Sequence, residues 1–275
     1  MTLILPFAQI DAFARKRFEG NQACVMPLPD GFLPDDVLQK IAAENNVAET
    51  AFLVAGQAGH WQLRWFTPTV EVPLCGHATL AAAHYLYHHG GHDGETITFE
   101  TRQSGLLTIS KLADGRLEMD FPVAEFCRAE VDADIAAALG ARPKAVWTGS
   151  LYCALYETVE EVQALQPDYR RLAGLGVSAG GLGIGKFGCL ALGGPDGVDA
   201  TSRFFAPGSG IDEDPATGAW HTMVAPVLAE LTEQTAFDCY QAYPGRGAHI
   251  GVELSGERVK LRGHAVTVIE GQFFL

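Results

Sequence analysis

The chain has 275 residues, enough for about two domains that each bury a core. Apolar residues make up 48% and charged residues 19%, an ordinary globular composition with no 18-residue apolar run of the kind that spans a membrane. Acidic residues outnumber basic ones 33 to 19, a formal net charge of −14. That balance excludes a phosphate-neutralising nucleic-acid surface but not a small anion held by local donors.

Period-2 apolar alternation predicts strands over 3–10 and 22–26. Pro34, two aspartates and apolar residues at helical spacing predict a helix over 34–46, followed by strands at 51–54 and 61–67. Segment 77–89, apolar nearly all round and closed by Gly90-Gly91, reads as a buried helix. Strands follow at 95–100, 105–111 and 115–120. The second half carries a short helix at 132–139 and strands at 145–149, 152–157, 186–192, 201–206, 235–241, 248–253, 257–262 and 265–273. A second buried helix lies at 217–232. Cysteines 24, 75, 127, 153, 189 and 239 form no Cys-x-x-Cys pair, and the N-terminus has no signal-peptide layout. The expectation is a reduced, cytoplasmic protein whose cysteines mostly fill the core.

Two segments look like copies of one another, Glu71-Val-Pro-Leu-Cys75-Gly-His77-Ala-Thr79 and Asp212-Glu-Asp214-Pro-Ala-Thr217-Gly218-Ala219-Trp220. Each runs from an acidic residue through a short turn into an apolar helix, and they lie half a chain apart. The repeat predicts two similar lobes, 1–120 and 121–264, with the final strand 265–275 free to join the first. Each turn offers the free N–H groups of a helix N-terminus to an anion, so two such ends could hold one acidic substrate in a cleft.

Two other patterns are decoys. Gly183-Ile-Gly185-Lys-Phe-Gly188 fits a dinucleotide fingerprint, and Gly180 to Lys186 nearly fits a phosphate loop. Both motifs need a helix after the glycines, and here a strand pattern follows. His84, His88 and His92 are spaced for one helical face, but Gly90-Gly91 breaks the helix and no acid completes a metal site. No metal is expected there.

The motifs Asp11-Ala-Phe13, Gly20-Asn21-Gln-Ala23, Asn46-Val-Ala-Glu49-Thr50-Ala-Phe52, Arg64-Trp-Phe66-Thr67-Pro68, Glu71 to Thr79 and Glu213-Asp214-Pro-Ala-Thr217-Gly218 follow one another in the order of a known family. The chain resembles the PhzF-like phenazine biosynthesis proteins, which share the diaminopimelate epimerase fold, over nearly its whole length. The resemblance implies an α+β fold of two similar lobes, each an antiparallel β-barrel around a central helix, with the active site in the cleft between them. It also implies proton chemistry without cofactor or metal, a small carboxylate substrate and often a homodimer.

Carried onto this sequence, the resemblance makes Glu49 the general base, then acid, if burial raises its pKa toward neutrality. His77 would hydrogen-bond or donate a proton, and Asp214 would orient the substrate, relay a proton or merely cap its helix. Gly76, Thr217, Gly218 and Ala219 would bind substrate at the helix ends, where missing side chains let an anion approach the backbone. Cys75 and Asp214 occupy matching places in the repeat by this reading. The epimerase relatives use a cysteine at both, so the lone thiol disfavours two-cysteine epimerisation. Ala219-Trp220 and Gly245-Arg246-Gly247-Ala248 depart from the family pattern and put the phenazine precursor in doubt as substrate. The expected function is a cofactor-independent isomerase of a small carboxylate. The alternatives are an amino-acid epimerase or racemase, and a non-catalytic metabolite binder.

Overall fold

The computed structural model describes residues 3–57, 60–177 and 183–275. The chain divides into two compact units, one of Met1–Asp120 with Arg262–Leu275, the other of Phe121–Leu261.

In the first unit, β1 (Ile4–Ala12) pairs antiparallel with β2 (Asn21–Leu28), and β2 runs parallel to β3 (Glu49–Ala55). β4 (Trp61–Phe66) is antiparallel to β3 and carries the two-residue β5 (Glu71–Val72). β4 is parallel to β6 (Thr96–Thr101), which continues antiparallel into β7 (Leu106–Lys111) and then β8 (Leu117–Pro122). The last strand, β19 (Ala265–Phe274), returns to pair antiparallel with β1. Helix α1 (Asp35–Asn45) lays Leu38, Ile41 and Ala42 on Met26, Phe52 and Phe66. Helix α2 (Gly76–His88) packs on β1, β2, β3 and β19 and is buried nearly all round. β3 touches both helices. Its run Glu49-Thr-Ala-Phe-Leu-Val is buried without alternation, as a strand covered on both faces must be.

In the second unit, β9 (Phe126–Ala129) and β11 (Tyr152–Leu155) flank β10 (Ala145–Gly149), both antiparallel. A two-residue ladder joins β12 (Gly176–Val177) to β13 (Gly183–Ile184). β11 is parallel to β14 (Phe187–Leu192), β14 antiparallel to β15 (Ala200–Phe205), β15 parallel to β16 (Ala236–Tyr243) and β16 antiparallel to β17 (Arg246–Ser255). β18 (Arg258–Gly263) follows. Helices α3 (Ala133–Leu139), α4 (Val159–Ala164) and α5 (Tyr169–Leu172) place Ile135, Leu139, Val162 and Leu172 in a core with Val146, Phe187 and Phe205. Helix α6 (Gly218–Thr232) is the buried counterpart of α2. Pro226 inside α6 cannot donate to the Thr222 carbonyl, and the Ala124 N–H fills that place at 3.3 Å.

The repeat read in the sequence is a repeat of topology. From β1 to β7 the pairings run antiparallel, parallel, antiparallel, parallel, antiparallel, and from β10 to β17 they run the same way. In both units the buried helix lies in the second parallel crossover. The glycines at 183–188 lead into β14 rather than a helix, as the sequence predicts, and Gly180 lies outside the described residues. No described helix is long and apolar enough to cross a membrane.

Candidate active site

Glu49 is delivered by a helix-to-strand turn. α1 ends at Asn46 in the left-handed region (φ 48°), and three residues later Glu49 opens β3. His77 is the second residue of α2, whose N-cap is Cys75. Both side chains are about nine-tenths buried, and Glu49 Oε2 lies 2.9 Å from His77 Nε2. The contact is a close ion-pair approach, and this buried carboxylate oxygen has no aligned hydrogen bond. Cys75 Sγ lies 3.5 Å from His77 Nδ1, and the Asn21 amide lies 3.3 Å from the same nitrogen.

The electrostatics differ from the sequence expectation. Burial does push the Glu49 carboxyl up, but the charge of His77 at close approach, with the Cys75 thiol nearby, outweighs it, and Glu49 ends below its ordinary 4.5. Burial alone would depress His77, yet Cys75 and Glu49 raise it well above 6.5. Burial, then Glu49, pushes the Cys75 thiol up. The three groups form one buried, coupled set in which Glu49 is favoured as the carboxylate and Cys75 as the thiol. These three residues are also the only group among the described residues placed to share a metal ion. A cation there would have to displace protons from His77 and Cys75.

In the second unit Thr217 is the N-cap of α6. Its hydroxyl donates to Asp214 Oδ2, and its N–H donates to Gln241 Oε1 at 2.9 Å. The Gln241 amide donates to the Asp214 carbonyl at 2.6 Å and to Thr217 Oγ1 at 3.1 Å. Asp214 thereby braces the turn before α6. Gln241, fully buried, is a residue that sequence reasoning missed, because its role depends on strand register. His221 Nδ1 lies 2.9 Å from the Thr217 carbonyl, and burial lowers this histidine to about 4, so it is neutral. Ala219 is exposed on the first turn. Trp220 is fully buried against Gly188 and Phe204, so the indole is core.

The helix ends share a property. Side chains cap α3, α4 and α5, through Asp132, Thr158 and Asp168, and α1 carries two aspartates in its first turn. α2 and α6 have neither a side-chain cap nor an acidic first turn. Neither N-cap residue spends its side chain on the first N–H groups of its helix. Counted from the helix starts, Cys75 matches Thr217, not Asp214 as the sequence repeat suggests. The second unit still offers no thiol there. Arg64 gives Nε and Nη2 to Glu71 and Nη1 to Asp35. His84 and His89 both contact the Thr267 hydroxyl, at 3.1 and 3.0 Å, and His92 contacts the Thr96 carbonyl at 2.9 Å.

The fold and these residues place the chain in a class that comparisons with known proteins name. The model of the phenazine biosynthesis-like (PhzC-PhzF) family matches residues 10–271, and the chain belongs to this family. An uncharacterized isomerase of Pseudomonas aeruginosa is 41% identical over 98% of this chain and 99% of its own length. The crystal structure of a PhzF-family protein from Enterococcus faecalis superposes with a TM-score of 0.92 at 35% identity, covering 99% of this chain and 100% of that one. A predicted epimerase of Pseudomonas aeruginosa, 23% identical with a TM-score of 0.73 over 98% of this chain and 99% of that one, shares the fold. These relatives support an isomerase.

Proposed function

We propose that this chain is a cofactor-independent isomerase of a small carboxylate, acting by acid–base proton transfer through Glu49 and His77. The observation that carries the reading is the Glu49 carboxylate oxygen, buried, without an aligned hydrogen bond and 2.9 Å from His77 beside an uncapped helix end. A carboxylate held ionised can take a proton from an activated carbon and return it at another, leaving the substrate's composition unchanged. The imidazolium of His77 stabilises the negative charge that develops meanwhile or donates a proton to it. Asp214, with the N-terminus of α6 at Gly218 and Ala219, supplies a further proton carrier and donors for the substrate carboxylate. The reading includes closure of each unit as a barrel around its helix, and a cytoplasmic homodimer, as the family resemblance implies. Thr217 at the N-cap position that Cys75 holds in the first unit speaks against an epimerase working through two thiols. The test is to incubate the protein in deuterated water with a panel of small unsaturated and hydroxylated carboxylates. Enzyme-dependent deuterium incorporation at carbon supports the reading, and binding of a carboxylate without exchange would make the protein a binder.

A further inference from the structure

Each unit holds one buried arginine paired with one glutamate, and the two pairs match in detail. In the first unit Arg64 Nε and Nη2 donate to the two carboxylate oxygens of Glu71, both at 2.8 Å. In the second, Arg203 Nε and Nη2 donate to those of Glu213 at 2.7 and 2.8 Å. Arg64 leaves β4 and Arg203 leaves β15, strands at the same place in the repeated topology. Each guanidinium lies over a phenylalanine two residues on, Phe66 at 5.0 Å and Phe205 at 4.9 Å. Each sends its remaining Nη1 to a helix of the first parallel crossover. Arg64 reaches Asp35, the first residue of α1, at 2.9 Å. Arg203 reaches the carbonyls of Val162, Gln163 and Leu165 at the end of α4, at 3.3, 3.2 and 2.9 Å.

The spacing shows what the pairs hold. Arginine and glutamate are seven residues apart in the first unit and ten in the second. From glutamate to the first residue of the buried helix the count is five in both, Glu71 to Gly76 and Glu213 to Gly218. The chain has let the loop length vary and kept the distance from the ion pair to the helix end. Stability alone is a weak reason to keep such a pair twice, because apolar replacements of buried ion pairs are often neutral or stabilising. A bidentate fork instead fixes a direction, which a lysine or a hydrophobic contact would not.

We propose that Arg64–Glu71 and Arg203–Glu213 are positioning pairs that set the turns delivering Cys75, Gly76 and His77 in one unit, and Asp214, Thr217 and Gly218 in the other. The functional meaning rests on Glu49 and His77 being the reacting pair, but the test needs no turnover and so fails or succeeds independently of that reading. His77 in isotopically labelled protein is titrated by NMR in wild type, Glu71→Gln and Arg64→Lys. Because the state of His77 depends on its distances to Glu49 and Cys75, a turn released from its strut should lower the His77 midpoint by about half a unit or more in both variants. In Glu213→Gln, amide exchange at Thr217 should accelerate by about tenfold while amides in β14 stay at wild-type rates. A His77 midpoint and a Thr217 exchange rate unchanged in variants that merely melt earlier would overturn the proposal. So would failure of Glu71→Gln and Arg64→Lys to fold, since the pair would then hold the unit and not the turn.

Discussion

Glu49 and His77 each depend on the other for their charge. Removing the carboxylate takes away one of the two groups that raise His77 and leaves Cys75, so Glu49→Gln should fold with the His77 midpoint lowered. It should lose about 10²–10⁴-fold in proton transfer, the usual contribution of a general base. Deuterium incorporation by the mutant at the wild-type rate would remove Glu49 from the mechanism. The pair also shapes stability against pH. His77, raised in the fold, stabilises fully below its unfolded value near 6.5, and loses that contribution as pH rises through the folded value. Glu49, lowered in the fold, stabilises above 4.5 and loses that contribution as pH falls through its folded value. The stability gap between wild type and His77→Asn should therefore be widest between pH 4.5 and 6.5 and narrow above the folded midpoint of His77. Urea titrations across pH that show a constant gap would contradict the ion pair. The identity of these residues was legible in the motifs Asn-Val-Ala-Glu and Cys-Gly-His. Their charge was not, because burial alone pointed upward for Glu49 and only the 2.9 Å approach of His77 reverses it.

At the level of elements, the two buried helices start with neither a side-chain cap nor an acidic first turn, whereas α1 starts with two aspartates and the three short helices are capped. Each helix start carries about half a positive charge, which an anion can neutralise. Gly218→Val places a branched side chain at the first residue of α6 and should lower affinity for small carboxylates about tenfold or more, at modest cost in stability. Titration calorimetry showing unchanged affinity for a carboxylate that binds wild type would refute a site at that helix end. The buried helices were readable because their apolar residues run all round. Helix α4 was missed although Thr158 and Glu161 form a capping box, because six residues give too little periodicity to stand out. β9 was missed because its pattern is mostly exposed. Gln241 could not be assigned, since only the pairing of β15 with β16 brings its strand beside the turn before α6.

For the whole molecule, the repeat was legible because each copy carries its own acidic turn and apolar helix. The offset between Cys75 and Asp214 was misread because turn residues align poorly without the helix starts as a ruler. The first unit takes residues from both ends of the sequence and the second only from its middle. The ladder from Ile4↔Phe274 to Ala12↔Ala265 joins those ends, extended by reciprocal bonds between Leu3 and Leu275 at 2.9 and 2.8 Å. On the ribosome this imposes an order. Residues 121–261 can fold as soon as they emerge, whereas β1 has to wait until β19 has been made. Nascent chains arrested just before Ala265, with the rest of the product already outside the exit tunnel, should resist protease across the middle segment and be cut around α2. Equal protection of both regions would show that β19 is dispensable. The early-made half of the proposed chemistry, Glu49 and His77, should thus become competent last, and a chain cut before β19 should carry Glu49 without the strand ladder that completes its unit.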